Sequence, residues 1–193
     1  MTKTLVQKTS ARTTAEEALL DAAERLLVDA GHAGITTRRV AEAAGVNHGL
    51  VHYYFGSNEN LLVRALERFT ERLIDRQRAL YAADQPFVEK WRMAMRYLLS
   101  EDISYQKVWL ELQALAWNNA DLQARLARVN AEWRAVLTEA FDEPHRALRI
   151  ELPLGALVAL VMTFNTGIIV ERLGGIETGH RDLLEWIDGW LSS

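Results

Sequence analysis

The chain has 193 residues, with 22 Lys and Arg against 26 Asp and Glu, for a net charge of −4 at neutral pH. Hydrophobic residues make up 49% and prolines number three, which excludes a disordered chain and points to a mostly helical one with an ample core. Cysteine is absent, which excludes a disulfide framework and a thiolate metal site. The overall charge is not that of a generally basic nucleic-acid binder, but its distribution is uneven. Residues 1–70 hold eight basic and eight acidic side chains, so the whole deficit lies beyond them.

The first residues, MTKTLVQKTSART, are polar and basic with no long apolar run. They do not resemble a secretory signal, so a cytoplasmic location is expected. Lys3, Lys8 and Arg12 come without an acid among them, and such a tail can follow DNA phosphates or be simply solvated. A first helix is predicted from about Thr14 to Ala30. Thr13 with Glu16, or Thr14 with Glu17, offers a capping box, and Leu19, Ala23, Leu26, Leu27 and Ala30 recur at helical spacing. The GHAG stretch at 31–34 ends it.

Residues 36–58, TTRRVAEAAGVNHGLVHYYFGSN, read as two short helices joined by a tight turn. Thr37 can cap the first, with Val40, Ala41 and Ala44 on one face. Gly45 sits where a helix needs a left-handed stop, and Asn47 can cap the second helix. That second helix turns Val51 and Phe55 inward and leaves His48, Gly49, His52 and Tyr53 outside. A helix, a turn containing Gly, and a helix with a polar outer face is the pattern of a helix-turn-helix reader of the major groove. Leu26, Val40, Val46, Val51 and Phe55 are the expected core of this small bundle.

Thr36-Thr37, Val40-Ala41, Ala44-Gly45-Val46, Gly49, Tyr53-Tyr54-Phe55, Ser57 and Leu61 together resemble the N-terminal signature of the TetR family of transcriptional regulators, over about Ala15 to Leu66. The resemblance implies an all-α protein. An N-terminal helix-turn-helix domain (1–58) would be followed by a helical ligand-binding and dimerisation domain (59–193). It also implies a homodimer on an inverted-repeat operator, a small-molecule effector, and a repressor as the usual mode.

Beyond the signature, Ser57 suits the cap of a fourth helix reaching about Tyr81, with Leu61, Leu62, Ala65, Leu66, Phe69 and Leu73 along one face. No flexible linker intervenes, so this helix can carry a ligand-driven shift to the reading heads. Pro86 suits the first turn of a fifth helix to about Leu99. A helix near Tyr105–Trp117 follows. A long one then starts at Asn118, Asn119 and Asp121 and runs to about Phe141, with Pro144 as its end. No β pattern of useful length is seen.

Residues 152–170, LPLGALVALVMTFNTGIIV, carry no charge. The length is borderline for a membrane span. Pro153, Gly155, Asn165 and Gly167, and the lack of a flanking basic cluster, favour a buried helix and no membrane contact. Gly155, Ala159, Thr163 and Gly167 recur every four residues as a ridge of small side chains. With Leu183, Ile187 and Trp190 of a last helix (about Gly179 to Leu191), this ridge is the expected dimer interface, forming a four-helix bundle with its symmetry copy.

At the DNA end the candidate contacts are Thr37, Arg38, Asn47, His48, Gly49, Leu50, His52, Tyr53, Tyr54 and Asn58. His48 can donate to or accept from a base edge, and Leu50 can meet a thymine methyl. By resemblance, Thr37 corresponds to a phosphate contact and Arg38 to a base or phosphate contact. Tyr53 and Tyr54 correspond to backbone-contacting or packing positions. The chain departs from the family at His52, often Tyr, and at Asn58, very often a phosphate-binding Lys. Asn58 brings no charge, so weaker and less salt-dependent DNA binding is expected.

At the other end Trp91, Met95, Trp109, Gln113, Trp117, Met162, Phe164 and Asn165 are candidate ligand contacts, for an apolar or aromatic effector. Asn118 and Glu111 are further possible anchors. His48 and His52 are spaced i, i+4 but lack the Glu of an HExxH arrangement, so no metal or other cofactor is expected. His32, His145 and His180 read as isolated surface or cap residues. No GxSxG, phosphate-cradling glycine loop or isolated carboxylate pair suggests an enzyme. A helical interaction module that has lost DNA binding is the other alternative, supported by the neutral head and Asn58.

Overall fold

The computed structural model describes the backbone of residues 2–30 and 35–192, and the side chains of residues 14–29 and 35–192. These residues form nine α-helices, one short π-helical turn and no strand. Helix α1 spans Thr2–Ala30. It overruns the predicted start at Thr14, so no helix end falls at Thr13 or Thr14 for a capping box to close. No Gly or Pro stands between Thr2 and Ala30, and extending a helix adds one hydrogen bond per residue fixed, so nothing stops it at Thr13. The GHAG stop, His32, the side chain of Ala30 and the basic side chains of residues 3–12 lie outside the described residues.

Helix α2 (Thr37–Ala44) is capped by Thr36, not Thr37: the Thr36 hydroxyl accepts from the Arg39 N–H at 3.2 Å. Its end is the predicted glycine stop. Gly45 has φ +67°, its N–H reaches the Glu42 carbonyl at 3.1 Å, and the Val46 N–H reaches Ala41 at 3.0 Å. That pair of bonds is a Schellman closure, which the missing Cβ makes cheap. Helix α3 (Gly49–Phe55) begins one residue past the assigned cap, His48. Asn47 still organises the start, its Oδ1 accepting from the Gly49 N–H at 2.9 Å and its carbonyl from Leu50 at 3.0 Å.

Helix α4 (Asn58–Ala82) is capped by Ser57, whose hydroxyl accepts from Asn60 at 3.1 Å. Helix α5 (Phe87–Arg96) follows Pro86. It does not end in a loop near Leu99. It passes through the π turn Tyr97–Glu101 into α6 (Ile103–Ala116). Helix α7 (Ala120–Ala147), capped by Asn119, runs through Pro144 instead of ending there. In the last turn a missing proline N–H costs only one bond, and the buried ring packs inside. The stop comes three residues later, with Arg149 at φ +50° and the Ile150 N–H on the His145 carbonyl at 3.1 Å. Helices α8 (Leu154–Leu173) and α9 (His180–Leu191) complete the chain.

One apolar core runs from Leu19 of α1 through Val40, Val51 and Phe55 and along α4, then on to Val108 and Leu112 of α6 and Leu126 of α7. It crosses residue 58, so the head is packed continuously onto the helices behind it. Arg68 reinforces the seam by donating to Asp21 at 2.5 Å and Glu24 at 2.6 Å. Arg125 clamps Glu67 with two bonds of 2.9 and 2.8 Å, tying α7 to α4. A smaller cluster around Leu137, Phe141 and Val158 joins α7 to α8.

Helix α8 departs from the buried helix expected of its sequence. Within this chain only Val158, Ile168 and Ile169 of its residues are buried, and α9 buries none. It is also the one helix among the described residues long and apolar enough to cross a membrane.

Candidate nucleic-acid interface and ligand cavity

The head presents α3 as its outer face because Val51 and Phe55 anchor the opposite side in the core. Asn47, His48, Gly49, His52 and Tyr53 are exposed, as the spacing implied. Tyr53 is 59% exposed and meets Tyr54 edge-on, with centroids 5.1 Å apart. Tyr54 and Leu50 are half-buried against the core, so each offers only part of its surface outward. The His52 Nδ1 lies 3.2 Å from the Gly56 carbonyl, where it can only donate, which leaves Nε2 of the neutral ring as an acceptor. Arg38 is exposed and pairs with Glu42 at 2.9 Å, an i, i+4 bridge weak enough to exchange for a phosphate. Thr37 is half-buried beside it.

Asn58 departs from its expected role. It is half-buried, its amide nitrogen donates to the Ile35 carbonyl at 3.4 Å, and its Oδ1 is buried without a partner. Its side chain closes the head onto α4 and does not present itself to a phosphate.

Behind the head, residues of α4 to α9 line a cavity of about 510 Å³ that is open on the side of Leu160 and Trp186. Of the candidate ligand contacts, Trp91, Met95, Trp109, Met162, Phe164 and Asn165 line it. Trp117 and Gln113 do not. Trp117 is 79% exposed just past the end of α6, and Gln113 lies beyond the cavity on the same helix. Asn118 and Glu111 are exposed and outside it as well. Leu183, Ile187 and Trp190, predicted at a dimer interface, line the cavity from α9.

Sequence reasoning missed the polar side of the wall. Gln77 and Tyr81 extend the inward stripe of α4 beyond Leu73, and a glutamine continuing an apolar i, i+4 row was the available signal. Asp102, placed by the π turn, is buried and paired with Arg76, whose guanidinium stacks 3.9 Å over the Tyr97 ring. Burial raises the Asp102 pKa against the pull of Arg76. Tyr105 donates to or accepts from the Thr70 hydroxyl at 2.9 Å, and burial pushes its pKa up to about 12. Tyr81, half-buried and hydrogen-bonded to Gln77, is pushed up to about 12 by desolvation of its hydroxyl. Both phenols therefore stay neutral at physiological pH. Among the described residues no group of three or more His, Asp or Glu side chains could hold a metal ion.

The small-residue ridge of α8 is open. A Cβ added at Gly155 or Gly167 would meet nothing within 4 Å, and Thr163 is exposed. Leu160 and Val170 of α8 and Trp186 of α9 are also exposed, Trp186 by 67%, and Leu160 and Trp186 line the cavity.

The described residues thus form helices only, with a helix-turn-helix head and an apolar cavity behind it. Residues 19–65 match the family model of the bacterial regulatory proteins of the tetR family. The chain is 30% identical over 122 residues to the HTH-type transcriptional regulator BetI 1 of Chromohalobacter salexigens, a match covering 60% of this chain and 58% of that relative. It is 24% identical over 187 residues, and 92% of each chain, to the HTH-type transcriptional repressor AcnR of Corynebacterium glutamicum. In fold it is similar to the transcriptional regulator FadR of Bacillus subtilis in complex with stearoyl-CoA, with TM-score 0.69, 18% identity, and 92% and 97% of the two chains covered. Residues 19–65 are therefore a tetR-family segment, and the chain as a whole shares the fold of such a regulator.

Proposed function

We propose that the protein is a ligand-responsive repressor that binds an inverted-repeat operator as a homodimer and is released when an apolar or aromatic molecule enters the cavity. The observation that carries this reading is helix α4. Its Leu61, Leu62 and Leu66 sit in the core of the head, while its Leu73, Gln77 and Tyr81 line the cavity, on one uninterrupted helix. A ligand that displaces the far half must therefore move the near half. A coupling of about 1–3 kcal/mol is enough to change operator affinity by 5- to 150-fold.

The DNA contacts fall to His48, Gly49 and the edge of Leu50 for bases, with Asn47, His52, Tyr53, Thr37 and Arg38 for bases or backbone. Dimerisation falls to the open ridge of α8, where Gly155, Ala159, Thr163 and Gly167 would let a symmetry-related helix approach closely and cover Leu160 and Val170. A cytoplasmic location suits this role. The repressor relative and the neighbour holding an acyl thioester support repression and effector binding by analogy. No catalytic role is assigned.

Selection from a random duplex library with the purified full chain tests the reading. The expected result is an enriched inverted repeat whose binding falls at least tenfold on His48→Ala or Tyr53→Ala. Absence of enrichment at low salt would overturn it in favour of an interaction module.

A further inference from the structure

The chemistry of the cavity wall narrows the effector. Among the described residues no Lys, Arg or His lines it. Among the described residues the one carboxylate on the wall is Asp102, already paired with Arg76, which lies behind the wall with its face on Tyr97 and its Nε buried without a partner. An anionic group entering the cavity would lose its hydration with no cation to receive it, and a cation would find the Asp102 charge taken. The wall instead offers flat apolar faces. Tyr105 and Trp109 stack with their planes 15° apart, and Trp91 and Trp133 line the same space.

The polar groups on the wall are not equivalent. Gln77 is bonded to Tyr81, Tyr105 to Thr70, and Thr166 to the Met162 carbonyl at 3.0 Å. Asn165 differs: its Oδ1 is buried and has no hydrogen-bond partner. A buried carbonyl oxygen without a donor is costly, and a ligand donor would remove that cost.

We propose that the effector is an uncharged aromatic molecule bearing a hydroxyl or N–H group, which donates to the Asn165 side-chain oxygen. This rests on the reading of the cavity as the effector site. It separates this chain from the neighbour that holds stearoyl-CoA, whose phosphates are anionic.

The test is calorimetric titration of the full chain with 2-naphthol, 2-methoxynaphthalene, naphthalene and 2-naphthoate, repeated on Asn165→Leu. The expected result is that 2-naphthol binds about tenfold tighter than the methoxy and unsubstituted compounds, and that 2-naphthoate binds weakest. Asn165→Leu should abolish the naphthol advantage while leaving naphthalene affinity within twofold, which a misfolded variant could not do. Equal binding of the first two, tighter binding of the methoxy compound or of 2-naphthoate, or no binding of any of the four would overturn the proposal. DNA release is scored separately. If 2-naphthol binds as expected but leaves the selected duplex occupied, the regulator reading fails and the assigned cavity chemistry stands.

Discussion

In the head, Val40 and Val51 are fully enclosed, Phe55 is nearly so, and α2 ends in a satisfied Schellman closure. At the other end, α9 buries no residue and α8 buries three of twenty, while Leu160, Val170 and Trp186 stand exposed. The same chain thus finishes one apolar surface and leaves another open. A soluble protein seldom leaves a contiguous apolar face bare without a partner for it. Under the proposed reading the head is packed within a single chain, and a second copy covers the exposed side of α8.

The largest effect is expected where the head is closed. Phe55→Ala removes a ring from a packed core and should cost about 3–5 kcal/mol, read as a loss of denaturation midpoint. An unchanged midpoint would mean the head is not packed as described. Next comes the open face. Thr163→Arg places a charge on the exposed ridge and removes only a bond from the Thr163 hydroxyl to the Ala159 carbonyl of the same helix, so it should leave helicity intact and weaken self-association by about a hundredfold or more in sedimentation, as expected for an unpaired charge in an apolar interface. A variant that unfolds, or one that dimerises normally, would show that the ridge does other work.

The seam between head and cavity gives a smaller, pH-dependent effect. Burial pushes the Glu67 pKa up, but the Arg125 hydrogen bonds and the charges of Arg125 and Arg64 outweigh it and hold the pKa below its ordinary value. Its stabilisation is therefore complete above the ordinary carboxylate range and fades as the pH falls through the lowered pKa. Glu67→Gln should cost about 1–2 kcal/mol at neutral pH for this partly exposed pair, and the difference from the wild type should vanish in acid. The smallest effect is expected at Arg149, which holds φ +50° at the end of α7. Arg149→Gly should stabilise by about 0.5–1 kcal/mol, since glycine relieves the left-handed strain but is more flexible when unfolded.

The same contrast explains what was legible in the sequence. The head's features are local: Gly45 must follow α2, Ser57 must precede α4, and Val51 with Phe55 must share a face, all within a few residues. Thr36 displaced Thr37 as the cap because adjacent threonines offer the same hydroxyl and only the φ/ψ of the turn chooses between them. The cavity is non-local. Trp91, Trp109 and Asn165 sit on three helices, and only packing shows that they meet while Trp117, just as aromatic, points away. The π turn that brings Asp102 to Arg76 has no sequence signature, and Asn58 read as a phosphate contact because its inward partner, the Ile35 carbonyl, belongs to the backbone.

Under the proposed reading two heads act together on one operator, held by the ridges of their α8 helices. Sedimentation equilibrium of the full chain with the selected duplex tests it most directly. The account predicts two chains per inverted-repeat duplex, falling to weak one-chain binding in Thr163→Arg. A single wild-type chain per duplex at saturation, or two chains that persist unchanged in the variant, would contradict it.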